Sequence, residues 1–329
     1  MYIKKKSFYL KLICFYMLIS SVQIEIKAKT ETHQINFSTS FYFLYDHLRY
    51  LIHDHAQIHL LSPKDQDPAH YTPNEIEVRS YQESDLIFLN GAGFESFEKK
   101  IMLPKSKIIY TSQSFKKEWL QSKTQSAHSH GRQGLHQHAS TDPHTWVDPI
   151  LATEQIKNIY LKLKDFFKKR SNLSNQFDPS SIQSIQSKLD QRFESLKLQF
   201  EEIDQQWKNL DFNGFLILSS HPSYAYLAKR YGFKIESFDF DTDLPIEHPS
   251  QTQQMALVSA FKQKVLLSHP NQKLIFFWEK QPHPSLTKAL EAQEIQSYLL
   301  RTVESEPTEG DYLRAIQADL KNLAQMFKK

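Results

Sequence analysis

Apolar residues recur at Ile182, Ile185, Leu189, Phe193, Leu196, Phe200, Ile203 and Trp207. Every step is three or four residues, the period of one face of an α-helix, so the spacing predicts one long amphipathic helix over Ser180–Trp207. At ~1.5 Å per residue such a helix is about 40 Å long and can run the height of the molecule. A coiled-coil dimer arm is the weaker alternative, because only about four heptads are present.

Shorter patterns flank it. Residues 29–38 are polar and read as a frayed lead-in, and Thr39–Asp54 begins aromatic and becomes helical. A turn-rich loop runs from Ser62 to Pro68, and Asn74 can cap a helix after Pro73. Asp85–Gly91 and Lys107–Tyr110 are short apolar runs bounded by turn residues, which read as buried strands, and Thr153–Phe167 reads as a helix. Beyond the long helix, strands are expected at Phe215–Leu218, Phe233–Phe240 and Leu274–Trp278. Helices are expected at Tyr224–Tyr231 with Gly232 as cap, Pro249–Phe261, from Pro284, and Gly310–Phe327.

Strands that alternate with helices imply parallel sheets. The expected fold class is α/β: two parallel-sheet lobes joined by one long rigid linker helix, with a ligand cleft between them. The first lobe is placed at 29–170, the linker helix at 171–209 and the second lobe at 210–329. No strong internal sequence repeat is visible. A loop at 121–142, rich in Ser, Gln, Gly and His, interrupts the first lobe.

Composition narrows the function. The chain has 329 residues, 40% hydrophobic and 23% charged, which is ordinary for a globular protein. A net charge of +3, with lysines spread along the chain, gives no basic face for nucleic acid. With seven glycines and no glycine-rich phosphate loop, nucleotide chemistry is not expected.

Residues 1–28 have the layout of a secretory signal: Lys4-Lys5-Lys6, the apolar run Leu12–Val22, then Ile26-Lys27-Ala28. The run is short for a membrane span, so the mature chain is not expected to insert in the membrane; an uncleaved anchor is the alternative. A lipid anchor at Cys14 is disfavoured because Ile13 before it is not small. Cys14 is the only cysteine, so a secreted mature chain has no thiol, and metal ligands must be histidine or carboxylate.

Candidate chemistry centres on His144, in Asp142-Pro143-His144-Thr145-Trp146-Val147-Asp148-Pro149. It lies just after a stretch holding His128, His130, His136 and His138. In open α/β sheets ligands bind beyond the carboxyl ends of strands, and His221 directly follows the strand at Phe215–Leu218. His70 and His144 each sit in a loop before a helix, so all three could line a cleft between lobes. Any one histidine alone is more often a core residue. His53 and His55 are two apart and do not share a helix face.

In order along the chain, five features are similar to the metal-binding proteins of zinc and manganese ABC importers. They are Asp67-Pro68-Ala69-His70-Tyr71-Thr72-Pro73, with one residue inserted before the histidine; the strand and turn Asp85–Gly91 with Gly93-Phe94-Glu95; Asp142-Pro143-His144-Thr145-Trp146; Ser220-His221 with Tyr226-Leu227-Ala228 and Arg230-Tyr231-Gly232; and the closing stretch Tyr312–Leu320. The resemblance covers nearly all of the chain after the signal.

By this resemblance the metal ligands are His70, His144, His221 and a late carboxylate at Glu304, where relatives often carry Asp; Glu306, Glu309 and a water are the competitors for that place. Manganese-selecting members tend to have a carboxylate where His221 stands. Three imidazoles suit zinc, whereas manganese prefers oxygen. Zn²⁺ is therefore the expected cargo, with manganese or iron as the alternative. Zinc-specific members often carry a His-rich insertion, which makes His128, His130, His136 and His138 accessory metal sites; a passive polar loop is the other reading.

The implied function is periplasmic zinc capture by a monomer, followed by delivery to the membrane permease of an ABC importer. A metal-binding adhesin is a second alternative. A secreted zinc hydrolase is disfavoured because the sequence has neither a His-Glu-x-x-His helix nor a nucleophile elbow, so the chain is not expected to be an enzyme.

Overall fold

The computed structural model describes residues 34–62, 67–122, 141–173 and 179–327. The signal reading at 1–28 and the histidines 128, 130, 136 and 138 lie outside these residues. Two four-stranded sheets organise the rest. The first is built from β1 (Asn36–Thr39), β2 (Gln57–Leu60), β3 (Leu86–Leu89) and β4 (Ile108–Tyr110), in the order β2-β1-β3-β4. The second is built from β5 (Phe215–Ser219), β6 (Ile235–Ser237), β7 (Lys273–Trp278) and β8 (Gln296–Leu299), in the order β6-β5-β7-β8. All pairings are parallel. Both lobes thus share one topology, so the fold repeats where the sequence has no visible repeat.

Helices carry the crossovers. In the first lobe these are α1 (Tyr42–Ile52) and α2 (Glu75–Glu83). Then come α3 (Pro149–Leu173) and α4 (Pro179–Lys208). The second lobe uses α5 (Ala225–Tyr231), α6 (Pro249–Ser268) and α7 (Pro284–Glu291), and α8 (Tyr312–Met326) closes the chain. Local signals act as expected at two boundaries. Asn74 accepts from the backbone of Ile76 and Glu77 while the Glu77 side chain accepts from Asn74 N, a complete capping box. Gly232 ends α5 at φ 75°, a backbone conformation glycine adopts without a Cβ clash.

Several expectations need correction. Residues 36–39 are an inner strand, not part of a frayed lead-in. The strand is hard to see because Asn36-Phe37-Ser38-Thr39 offers one large apolar side chain. Phe37 compensates by being fully buried, edge-on to Phe88 at 5.9 Å and to Phe166 at 5.2 Å. Ser38 is buried against the Ser84 hydroxyl at 2.5 Å, so its polar group is satisfied. The edge strands β2 and β8 lack the continuous apolar runs that mark β3 and β7. The strand expected over Phe233–Phe240 is confined to Ile235–Ser237.

Two long helices, α3 and α4, stand between the two sheets in the chain. The helix expected at Thr153–Phe167 runs from Pro149 to Leu173, through the boundary drawn at 170/171. It lies antiparallel to α4: Tyr160 stacks on Phe193 at 4.5 Å, and Tyr160 Oη and Lys164 Nζ both donate to Asp190. With 30 residues, α4 is about 45 Å long. Its Arg192 donates to Leu51 O and Asp54 at the end of α1, while Trp207 stacks on Tyr231 and Phe233 of the second lobe. The Tyr312 ring of α8 packs against Phe43 and Phe200, so one continuous core reaches into both lobes. Among the described residues no helix is long and apolar enough to cross a membrane.

Phe37→Ala tests the reassigned first strand. A buried Phe truncated to Ala typically costs about 3–5 kcal/mol. Urea denaturation should show a loss of that order; an unchanged midpoint would mean that residues 36–39 do not form an inner strand in solution.

Candidate metal centre

His144 reaches the cleft through a loop braced at both ends. Asp142 N donates to Leu120 O at 2.8 Å, next to an antiparallel bridge between Gln121 and Thr141. Asp142 then folds back: its Oδ1 accepts His144 N at 3.0 Å and lies 2.8 Å from His144 Nδ1. A ring nitrogen facing a carboxylate carries the proton, so Nδ1 is committed to Asp142 and Nε2 is left to face the cleft. Nε2 stands 3.7 Å from Glu304 Oε1, with both side chains almost fully buried. Two donors on one tetrahedral zinc at ~2.0–2.2 Å are roughly 3.4 Å apart, so this pair needs little movement to share an ion.

The two groups shift each other and are shifted by their surroundings. Burial pulls the His144 pKa down, but the hydrogen bond and charge of Asp142, then the charges of Glu304 and Glu279, outweigh it and raise the value to about 9. Burial lifts Glu304 above the ordinary carboxylate range; His144 opposes the shift, while Glu279 and Asp67 add to it.

His221 enters from the second lobe, directly after β5. Its ring is 6.0 Å from that of His144, at 76°. Glu304 is held by its backbone, with Tyr42 N donating to Glu304 O at 2.9 Å. The preceding Val303 has φ 54°, a left-handed conformation that costs a β-branched residue about 1–2 kcal/mol. The fold carries that strain at the point where the carboxylate is turned toward His144. Glu306 and Glu309 are exposed, whereas Glu304 is buried.

His70 is not brought into this group. It is exposed, in a turn where His70 N and Tyr71 N both donate to Asp67 O, and the inserted Ala69 has its carbonyl held by Ser96 Oγ at 2.7 Å. Among the described residues no three His, Cys, Asp or Glu side chains stand in metal-holding geometry together. Asp67, at the start of that turn, nevertheless adds to the upward shift of Glu304 through its charge.

Tyr226 and Arg230 stand in a motif read from the sequence, but their role in holding the His144 loop from the other lobe was not. Arg230 Nε on α5 lies 2.6 and 2.5 Å from the two oxygens of buried Asp148. Asp148 Oδ1 also accepts Ile150 N and Leu151 N at the start of α3. One turn away on α5, Tyr226 Oη donates to Asp142 O at 2.9 Å and accepts Leu120 N at 3.0 Å. Between them, Trp146 Nε1 donates to Thr302 O at 2.9 Å and Tyr312 Oη donates to Trp146 O at 3.0 Å.

On the first-lobe side, Asn90 Nδ2 donates to Pro143 O, and Asn90 Oδ1 accepts Gln155 Nε2. The turn after β3 is fixed by Glu95, which accepts Ser40 Oγ, Asn90 N and Gly91 N; its burial lifts its pKa to about 7 against those donors. Glu279, the residue after β7, was also missed. The strand-end argument that picked out His221 applies equally to it.

Residues 38–326 match the family described as ZnuA, zinc-uptake complex component A, periplasmic. The high-affinity zinc uptake system protein ZnuA of Bacillus subtilis (strain 168) is 22% identical over 277 residues, which are 81% of this chain and 78% of that protein. The zinc-binding lipoprotein AdcA of Streptococcus pneumoniae (strain ATCC BAA-255 / R6) is 24% identical over 235 residues, 70% of this chain but only 43% of that protein. Its Zn(II)-bound crystal structure superposes with a TM-score of 0.65 at 18% identity, covering 90% of this chain and 58% of that one. The manganese ABC transporter substrate-binding lipoprotein PsaA of Streptococcus pneumoniae is 25% identical over 217 residues, 62% of each chain. The superposed structure shares the two-lobed α/β fold.

Arg230→Ala tests the cross-lobe brace. Arg230 is itself exposed, but its removal leaves the buried Asp148 carboxylate without its cation, a loss of about 2–3 kcal/mol. Thermal or urea unfolding should show a loss near the lower figure, because Asp148 keeps two backbone donors. A loss under about 1 kcal/mol, the size of an exposed pair, would mean the brace is not formed.

Proposed function

We propose a function from one established premise: this chain belongs to the ZnuA family of periplasmic zinc-uptake components. It captures a divalent metal ion outside the inner membrane and gives it up to the membrane permease of an ABC importer. It is a carrier and not an enzyme. The observation that carries this reading is the buried pair of His144 Nε2 and Glu304 Oε1, 3.7 Å apart, with the His221 ring beside it. One donor comes from the first lobe and two from the second, so a bound ion joins the lobes.

The cargo is zinc. His144, His221 and Glu304 supply two imidazoles and a carboxylate, and His70 completes the set by turning in from its exposed loop when the ion is present. Three nitrogens and one oxygen suit zinc, whereas manganese prefers an oxygen-rich set. The names of the Bacillus and streptococcal zinc proteins support the same choice. A manganese protein is among the relatives, so manganese is the second reading. Four protein ligands leave no open position for the water that catalytic zinc needs, which favours carriage over hydrolysis.

The remaining parts of the reading rest on sequence. Residues 1–28 direct secretion, and the mature monomer works in the periplasm. His128, His130, His136 and His138 bind metal weakly and raise its concentration beside the cleft.

Metal analysis by mass spectrometry tests this. The chain from residue 29 onward, dialysed against equimolar Zn, Mn, Fe and Cu at neutral pH, should retain a single zinc ion. A variant carrying His144→Ala and His221→Ala should retain none. Retained manganese would shift the assignment to the second reading, and zinc surviving both substitutions would move the site away from the cleft.

A further inference from the structure

We propose that Glu279 is a positioning residue that aims the His221 imidazole at the metal, an inference that rests on His221 being a ligand. The sheet register puts the two residues side by side. Ser219 of β5 pairs with Phe277 of β7, so two residues further on His221 and Glu279 leave neighbouring strands at the same level. The strand ends are then tied together: Ser220 N donates to Phe277 O at 3.0 Å, and Glu279 N donates to Ser220 Oγ at 3.3 Å.

The side chain of Glu279 completes the tie. Its Oε2 accepts Ser223 Oγ at 2.9 Å. Ser220 and Ser223 flank His221, so Glu279 grips the turn on both sides of the histidine. Within the turn, His221 O accepts Ser219 Oγ at 2.8 Å and Ser223 N at 2.9 Å. The histidine backbone is thereby pinned from inside the turn, and the turn is pinned to the adjacent strand by Glu279. The metal's gain is an imidazole whose position is set before the ion arrives.

Zinc affinity, measured by competition with a chromophoric chelator, separates this role from the others Glu279 could have. Partners that orient a metal-binding histidine are typically worth 10–100-fold in affinity. Glu279→Ala should weaken zinc binding about tenfold. Glu279→Gln keeps the acceptor for Ser223 Oγ and should stay near the wild type. In a His221→Ala background, Glu279→Ala should cost nothing more, because its effect passes through His221.

Three results would overturn the proposal alone: Glu279→Ala binding as tightly as wild type; Glu279→Gln failing as badly as Glu279→Ala, which would point to charge or direct ligation; or an equal cost of Glu279→Ala in both backgrounds. A folded wild-type chain that holds no zinc would overturn the zinc-capture reading, and this proposal with it.

Discussion

The structure depends on the grip that the second lobe keeps on a loop of the first. Asp148, buried, is held by Arg230 from α5, and the same helix holds Asp142 through Tyr226. Trp146, between them, donates to Thr302 next to the strained Val303. The loop that carries His144 is therefore seated in both lobes. Separating the lobes would strand a buried carboxylate and unpair buried polar groups, each a cost of kcal/mol size. A two-lobed protein built this way resists opening, and the antiparallel pair α3 and α4 reinforces that resistance. Wide clamshell motion is not needed for capture, because His144 and Glu304 already face each other at 3.7 Å.

The same constraint shapes the chemistry. Asp142 decides which nitrogen of His144 faces the cleft, and the buried carboxylate of Glu304 is turned toward it at the expense of backbone strain. Both groups are removed from water, where their charges act on each other more strongly than in solvent. A divalent ion arriving between them displaces the proton that the raised pKa places on His144, and takes the freed nitrogen and the carboxylate as donors. His70 stands apart, exposed on its turn, and is the one proposed ligand whose side chain must travel.

Much of this was legible in the sequence, for reasons that can be named. Eight apolar residues of α4 keep a helical period over nearly its whole length, so the long helix was visible. Apolar runs such as Leu86–Leu89 and Leu274–Trp278 read as buried strands because parallel sheets are covered on both faces. β1 was not legible: three of its four residues are polar, and its burial is decided by partners on β3 and α3 far along the chain. The pairing of α3 with α4 was missed because nothing local marks Pro149–Leu173 as continuous to its end. At the site, His221 was found by its place after a strand, and Glu279 could have been found by the same rule. Arg230, Tyr226 and Trp146 could not be assigned roles from sequence, since their partners lie in the other lobe.

In the proposed function one ion is held between the lobes by imidazoles from both and by a carboxylate. Zinc K-edge X-ray absorption on the zinc-loaded protein tests it most directly. The account predicts four nitrogen or oxygen neighbours at about 2.0–2.2 Å, with outer-shell scattering from three imidazole rings. A shell of oxygens alone, or scattering from a single ring, would contradict it and place the ion outside the cleft built by His70, His144, His221 and Glu304.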